Sequence, residues 1–267
     1  MIIQQAIEFL RTDMGTAWEQ IAFREVRIGV HLTAVMLSDG SAGVASTIKN
    51  DSGHCRKEDR DFGVFTPLRI AGERVATLFE QEKEKPFADS LKIATLNALS
   101  ARCIRDGKHR LHYDKDPLDL LDLEGKKNIV MVGAFQSYIR KLSETSARLQ
   151  VLEFNEDALS EAHRHLFVPA GEASRLIPEA DVVILTGMTL VNRTMEDILG
   201  LVSGSRQVMV TGPSSSIVPV VLFRHNIDVI GATLVTHPRR LLDLAAQGGA
   251  GYHLFHYCAR KLAITRG

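Results

Sequence analysis

The chain has 267 residues, and its 32 lysines and arginines balance 32 aspartates and glutamates, so the formal net charge is zero. This length allows one large domain or two modest ones. The lack of excess positive charge argues against binding to nucleic acid or to an anionic membrane. No apolar run has the length of a membrane span. An odd number of cysteines (Cys55, Cys103 and Cys258) fits a reducing compartment. We therefore expect a cytoplasmic protein.

Residues 1–110 are predicted to form a small α+β domain. Met1–Thr12 has apolar side chains at helical spacing, and Pro86–Arg105 has the broad apolar face of a mostly buried helix. Val26–Met36 is predicted to be a strand, with Gly43–Ile48 as its antiparallel partner after an intervening turn. These patterns predict a small antiparallel sheet with helices packed against it.

Two polar stretches interrupt the apolar patterns. Residues 50–62 are polar and charged, and they are predicted to form a loop. Residues from about 106 to 127 are rich in Asp, Lys, Gly and Pro, which is typical of a linker between domains. The sequence therefore predicts a second domain that occupies residues 111–267.

The second domain is predicted from apolar runs that alternate with helical patterns. The runs lie at residues 129–132, 149–152, 181–186, 207–211 and 228–235. The helical patterns lie at residues 136–145, 156–163, 190–202 and 217–224. Parallel strands are continuously apolar because helices cover both faces of their sheet, and this alternation indicates βαβ units. The predicted fold class is α/β, with a Rossmann-like, doubly wound parallel sheet.

Ligands of such sheets bind beyond the carboxyl ends of the strands, so the first two strand ends are candidate ligand contacts. Gly133 has the position of the first glycine in a dinucleotide-binding turn, but Phe135 replaces the second glycine, which argues against NAD or FAD. The Phe135 ring is suited to stacking on a heterocycle. Glu153 lies 20 residues after Gly133, where an acidic residue accepts a ribose hydroxyl. Alternatively, Glu153 only caps the next helix.

Two further polar loops lead from a strand into a helix. Residues 186–194 and 211–216 offer hydroxyl, amide and backbone N–H groups that are suited to an anion or another polar ligand. Helix capping explains some of these residues but does not readily explain all of them. The candidate ligand contacts in the two loops are Thr186, Gly187, Thr189, Asn192, Gly212, Ser214 and Ser215.

Five other polar residues are candidates for a site. Asn155 follows the second strand, and His237 follows the fifth as a candidate acid or base. Asn97 interrupts an apolar helix, so it either supports a loop or reaches the pocket. His253 and His256 are neighbours on a helix and could act as a metal ligand pair, but satisfied histidines on a half-buried helix are the favoured explanation. The identity of any metal stays open.

Several segments together resemble a prokaryotic family known as a putative heavy-metal chelation domain. They are Ala94–Leu99, Val132–Phe135, Glu153, Asp181–Thr194 and Gly212–Pro219. The resemblance implies an N-terminal domain similar to the small domain of enolase, followed by a Rossmann-like domain. It also implies a ligand site in the cleft between them, for a metal chelate or a heterocycle such as a pterin or flavin derivative. Resemblance to enolase's small domain does not imply enolase catalysis.

Three functions follow as hypotheses. The first is a small-molecule-binding protein or enzyme whose interdomain cleft holds a metal chelate or a pterin- or flavin-like heterocycle. The second is a transferase that uses a nucleoside-bearing cofactor such as S-adenosylmethionine, with Glu153 at the ribose. The third is a non-catalytic protein that delivers or stores a divalent or transition metal. A homodimer is the expected assembly.

Overall fold

The structure is a computed structural model, and it describes residues 1–48, 65–80, 86–203 and 206–267. The loop predicted at residues 50–62, together with His54 and Cys55, lies outside the described residues. Within the described ranges, no helix combines the length and the apolarity that crossing a membrane requires.

The N-terminal part of the chain is α+β, as predicted. Its helices are α1 (Ile2–Met14), α2 (Val75–Glu80) and α3 (Pro86–Asp106). Its strands are β1 (Phe23–Ile28), β2 (Leu32–Leu37) and β3 (Ala42–Ser46), and they form an antiparallel sheet in the order β1-β2-β3. The helix α3 packs closely on β3, so this sheet has a covered face.

The single strand predicted at Val26–Met36 is instead a hairpin of two strands, β1 and β2. The chain reverses at Gly29, where an added Cβ atom would lie 2.0 Å from the carbonyl oxygen of Ala245. A glycine is therefore needed because a helix of the second half packs against the turn. The apolar neighbours of Gly29 conceal this turn in the sequence.

The larger part of the chain is built on one sheet. Its described strands are β4 (His109–Tyr113), β5 (Asn128–Val132), β6 (Arg148–Glu153), β7 (Phe167–Pro169), β8 (Val182–Thr186), β9 (Gln207–Thr211), β10 (Val229–Val235) and β11 (Ala259–Arg266). The helices are α4 (Gln136–Ser143), α5 (Ala173–Leu176), α6 (Met188–Val191), α7 (Met195–Leu201), α8 (Pro219–Arg224), α9 (Pro238–Ala246) and α10 (Gly251–Tyr257).

The order of this sheet is β4-β11-β10-β9-β8-β5-β6-β7. The strands from β10 to β7 are parallel, and β11 and β4 extend the sheet with antiparallel pairings. Numbered along the chain, the parallel strands have the order 3-2-1-4-5-6 of a Rossmann fold. The predicted fold class is confirmed. The order reverses between β5 and β8, where such sheets form a ligand crevice.

The sequence patterns missed the strands at the two edges of the sheet. The predicted linker at 106–127 contains β4, which pairs with β11, for example Tyr113 with Leu262. The edge strand β4 has a single leucine among histidine, arginine and tyrosine residues, and the edge strand β7 has only three residues. Edge strands need less apolar sequence because one side faces solvent. The domain boundary at 110/111 falls within β4 and stays a prediction.

Two predicted helices differ from the structure. Residues 156–163 form short 3-10 turns at Glu156–Ala158 and Glu161–Leu166. The helix predicted at 190–202 is divided into α6 and α7. The break occurs at Arg193, whose φ of +62° lies in the left-handed region and ends α6. The polar residues at this break therefore belong to a turn rather than to a helix face.

The two parts of the chain share contacts that fix their relative position. The Asn97 side-chain nitrogen on α3 donates to the Val44 carbonyl at 2.7 Å and to the Pro213 carbonyl at 3.1 Å. The Ser46 backbone N–H donates to the Ser214 hydroxyl at 2.8 Å. One apolar core also runs through both parts. The small sheet is therefore packed against the large one.

We predict that Gly43→Ala strongly destabilises the protein. An added Cβ atom would lie 2.1 Å from the carbonyl oxygen of Ala94 and 2.4 Å from the backbone nitrogen of Ala98, and neither backbone atom has room to move. We expect a loss of about 3 kcal/mol in the free energy of unfolding, measured with a chemical denaturant. Gly200→Ala is the control, because a Cβ atom there meets nothing within 4 Å. Equal stability of both variants would contradict the close contact between α3 and β3.

Candidate functional site

A cavity of about 710 Å³ lies where the strand order reverses. We call it the switch-point cavity. It is bounded by the carboxyl ends of β5, β6 and β8, by the loop after β7, and by α6 and α7. Its lining residues are Val132, Gly133, Ala134, Phe135, Leu152, Glu153, Phe154, Ala170, Gly171, Ala173, Thr186, Met188, Thr189, Asn192, Thr194, Asp197, Ile198 and Leu201. All of them belong to the larger part of the chain.

The switch-point cavity brings together about half of the predicted ligand contacts. They come from the ends of three strands, because parallel strands place their carboxyl ends at one edge of a sheet. The gathered residues are Gly133, Phe135, Glu153, Thr186, Thr189 and Asn192. A separate cavity of about 530 Å³ lies between the two parts of the chain, and Asn97 lines that one.

Gly133 lets the end of β5 approach the end of β8. Its φ is +95°, and an added Cβ atom would lie 2.9 Å from the Thr186 methyl carbon. Other residues rarely adopt this backbone conformation, and none would fit beside Thr186. Gly133 is thus explained by its close contact with Thr186 at the floor of the cavity, without a pyrophosphate-binding turn.

Glu153 joins the ends of β5 and β6. Its Oε2 atom accepts a hydrogen bond from the Ala134 backbone N–H at 3.2 Å, and its Oε1 atom accepts one from the Phe154 N–H at 2.8 Å. Asn155 caps the following 3-10 turn, because its Oδ1 atom accepts from the Asp157 N–H at 2.9 Å. Asn155 does not line the cavity. Each Glu153 oxygen keeps acceptor capacity for a ligand donor.

The turn between α6 and α7 is held by its own side chains. The Thr189 hydroxyl donates to the Thr186 carbonyl at 2.6 Å, and Thr189 is buried. The Asn192 Oδ1 atom accepts from the Thr194 hydroxyl at 2.8 Å. The Asn192 side-chain nitrogen makes no hydrogen bond within the described part of the chain. It is thus an available donor on a residue of the cavity wall.

The serine loop after β9 has a structural role that its sequence did not reveal. Ser214 and Ser215 are fully buried. The Ser214 hydroxyl accepts from Ser46, and the Ser215 hydroxyl lies 2.7 Å from the Gly212 carbonyl and 2.6 Å from the Gly231 carbonyl. These hydroxyls are used within the fold, and neither serine lines the switch-point cavity.

Three further predicted residues lie outside this cavity. Gly187 allows two loops to approach, because an added Cβ atom would lie 2.9 Å from the Ser215 nitrogen. Asn97 is buried on α3, and its Oδ1 atom has no hydrogen-bond partner among the described residues. His237 is exposed before α9, with its Nδ1 atom 3.0 Å from the Thr236 hydroxyl. A catalytic role of His237 stays a prediction, and the cavity geometry gives it no support.

The described residues include the side-chain types that usually bind metal ions. No group of three or more histidine, cysteine, aspartate and glutamate side chains among them has the geometry to hold a metal ion. The His253 Nδ1 atom accepts from the Ala250 N–H at 3.0 Å, as a structural histidine does. The lining of the switch-point cavity offers carboxylate, hydroxyl and amide groups without thiolate or imidazole. Soft heavy metals prefer the latter ligands.

Sequence reasoning missed several residues of this cavity. One of them is Phe154, which is 80% exposed and lines the cavity. Its position directly after Glu153 was an available signal. Asp197 and Ile198, both on α7, also line the cavity. The loop at 170–173 left no signal, because β7 is too short to be recognised.

The chain matches two family models, each described as "Putative heavy-metal chelation". One model, DUF364, matches residues 116–264, and the other, DUF4213, matches residues 12–100. The chain belongs to this family. The resemblance of the sequence motifs is thereby confirmed. No curated protein matches the chain significantly.

Two solved structures share the fold along the whole chain. One is a DUF364 protein of unknown function from Pyrococcus horikoshii, with 18% identity, a TM-score of 0.78, and coverage of 99% of this chain and 100% of that chain. The other is a DUF364 protein of unknown function from Desulfitobacterium hafniense, with 17% identity, a TM-score of 0.72, and coverage of 98% and 100%. At these identities the likeness concerns the fold alone.

We predict that Ser214→Ala lowers stability without removing a ligand contact. The change leaves the Ser46 N–H without its acceptor in a partly buried place, which costs about 1 kcal/mol. Chemical unfolding measures this loss, and Ser137→Ala is the control because Ser137 is exposed. A variant with unchanged stability would show that the serine loop is not the structural contact described above.

Proposed function

We propose that this protein binds a small heterocyclic compound, or a metal chelate of one, in the switch-point cavity. The observation that carries the proposal is the convergence of six predicted contact residues on one largely apolar cavity. Cavities of several hundred cubic ångströms with a few convergent polar groups are typical of ligand sites. The family description is consistent with a metal-chelating ligand.

The charge of the lining favours a ligand that donates hydrogen bonds. The charged residues that line the cavity are Glu153 and Asp197, and no lysine, arginine or histidine lies among the described lining residues. A heterocycle with N–H groups, such as a pterin or a flavin, or a sugar with hydroxyls, complements these carboxylates. An anionic group would meet repulsion there. We therefore favour a ligand that presents an uncharged surface to the cavity. The anionic ligand expected from the two polar loops is disfavoured.

Under this proposal, a metal ion would be coordinated by the bound chelator rather than by side chains of the protein. The few polar groups of the lining are carboxylates, hydroxyls and an amide, which do not suit a soft metal ion, whereas a chelator supplies its own donor atoms. The protein would then recognise the flat organic part between apolar side chains such as Met188 and Leu201. Under this proposal, free metal ions have little affinity for the described part of the chain.

A second candidate ligand is a nucleoside-bearing cofactor such as S-adenosylmethionine. The observation that favours it is the position of Glu153 at the carboxyl end of β6, in the cavity floored by Gly133. Rossmann proteins bind a ribose hydroxyl with an acidic residue at this position. The bulky Phe135 does not fit the glycine-rich turn of the usual dinucleotide motif.

A thermal-shift panel separates these candidates. The panel contains a pterin, riboflavin, an iron-loaded catecholate chelator, adenosine, S-adenosylmethionine and free divalent metal ions. A ligand at about 100 times its dissociation constant adds about 2.7 kcal/mol of stability and raises the Tm by about 5–10 °C. We expect such a rise with a heterocycle or a loaded chelator. A rise with the adenosyl compounds alone supports the second candidate, and a rise with free metal alone contradicts both.

Two single-residue variants test the placement of the ligand. Phe154→Ala removes an exposed ring at the rim. Asn192→Asp keeps the acceptor for Thr194 while removing the free side-chain donor. We expect each variant to weaken the response to the active compound about tenfold, measured by calorimetry, with unchanged unfolding. Tyr257→Ala is the control, because Tyr257 is 55% exposed and outside this cavity. Undiminished binding by both variants would reject the switch-point site.

A further inference from the structure

A second cavity, of about 790 Å³, lies beside the switch-point cavity. Ala134 and Phe135 line both, so the loop after β5 is their common wall. The second cavity extends from the carboxyl end of β9 along β10 and β11, and α10 closes its outer side. We call it the aromatic cavity.

Four aromatic side chains surround the aromatic cavity: Phe135, Tyr138, Tyr252 and Phe255. The Phe135 and Tyr138 rings lie 5.6 Å apart at the inner wall. At the rim, Tyr252 is 67% exposed and Phe255 is 38% exposed. Large apolar side chains that converge on a cavity while exposed favour a flat apolar ligand, because stacking would remove their faces from water.

Glycines keep the wall thin opposite these rings. Gly212 has a φ of +120°, and an added Cβ atom there would lie 4.0 Å from a carbon of the Phe135 ring. Gly251 starts α10, and an added Cβ atom would lie 3.4 Å from Pro213. A side chain at position 212 would take up space beside the Phe135 ring, and one at position 251 would take up space beside Pro213. The two glycines thus leave these parts of the cavity open.

The charge of the aromatic cavity is opposite to that of its neighbour. Lys261 and His256 line it, and its described lining contains no carboxylate. The Lys261 ammonium lies 5.7 Å from the centre of the Phe255 ring and makes no ion pair with the described residues. Burial, and then the Asp116 carboxylate, raise the pKa of Tyr138, so that side chain stays uncharged. Within the described part of the chain, the Lys261 ammonium thus provides a positive charge that no carboxylate neutralises.

We propose that the aromatic cavity is a second binding site, and that it takes a flat aromatic molecule carrying a carboxylate. The ring would stack among Phe135, Tyr252 and Phe255, and the carboxylate would pair with Lys261. This site goes beyond the proposed function, which concerns the cavity on the other side of Phe135. The two cavities have opposite charge, so they select different molecules and place them on either side of one aromatic ring.

Calorimetry with three matched probes tests the ligand class. The probes are 2-naphthoate, the uncharged 2-naphthamide, and cyclohexanecarboxylate, which has the charge without the flat ring. We expect the intact protein to bind 2-naphthoate at least about tenfold more tightly than either of the others. No binding of 2-naphthoate, or equal binding of 2-naphthoate and 2-naphthamide, would overturn the proposal.

Variants of the same protein locate the probe. Lys261→Met should weaken the binding of 2-naphthoate about tenfold, equivalent to about 1.4 kcal/mol, and leave the binding of 2-naphthamide unchanged. The double change Tyr252→Ala and Phe255→Ala should weaken the binding of both naphthyl probes. Lys126→Met is the charge-matched control, since Lys126 is exposed and lines neither cavity. Each variant is first shown by its unfolding curve to be folded.

Phe154→Ala distinguishes this proposal from the function proposed above. Phe154 lines the switch-point cavity and not the aromatic cavity. The variant should leave 2-naphthoate binding intact while weakening the ligand of the first site. If Phe154→Ala abolishes 2-naphthoate binding and Lys261→Met does not, the probe occupies the switch-point cavity and the second site is rejected. If the first site proves empty, 2-naphthoate binding that depends on Lys261 still supports the second.

Discussion

The close approach of β5 and β8 is the constraint on which the site depends. The strand order reverses at this pair, so the loops leave it in opposite directions and a crevice remains between them. Gly133 and Thr186 touch at the bottom of this crevice, where only a glycine with positive φ fits. The lining residues that follow β5 and β8 directly are positioned by this contact.

Phe135 follows this contact and divides the space above the strands. On one side lies a cavity with the Glu153 carboxylate, and on the other a cavity with the Lys261 ammonium. The same bulk that argues against a dinucleotide turn therefore gives each cavity an aromatic wall. We propose that this Rossmann-like sheet holds one ligand on each side of the Phe135 side chain.

The small antiparallel sheet stabilises the fold and holds the loop after β9 in position. Its strand β3 packs on α3 through Gly43, and it reaches the large sheet through the bond from Ser46 to Ser214. Asn97 adds bonds to the same loop. These buried polar contacts explain why the loop after β9 is rich in serine. A hydroxyl that satisfies a buried backbone group has the same sequence signature as one that binds a ligand.

The sequence by itself determined the fold class and most strands of the parallel sheet, because buried parallel strands are continuously apolar. From the same strands it predicted a ligand site at their carboxyl ends. It also indicated Phe135 and Glu153 as residues near one another. Tertiary structure alone decided which polar residues face a cavity. Ser215 and Gly187 are used in loop packing, whereas Phe154 and Asp197 reach the cavity. Whether a side chain faces a cavity depends on how loops and helices pack in three dimensions. Local residue patterns do not contain this information.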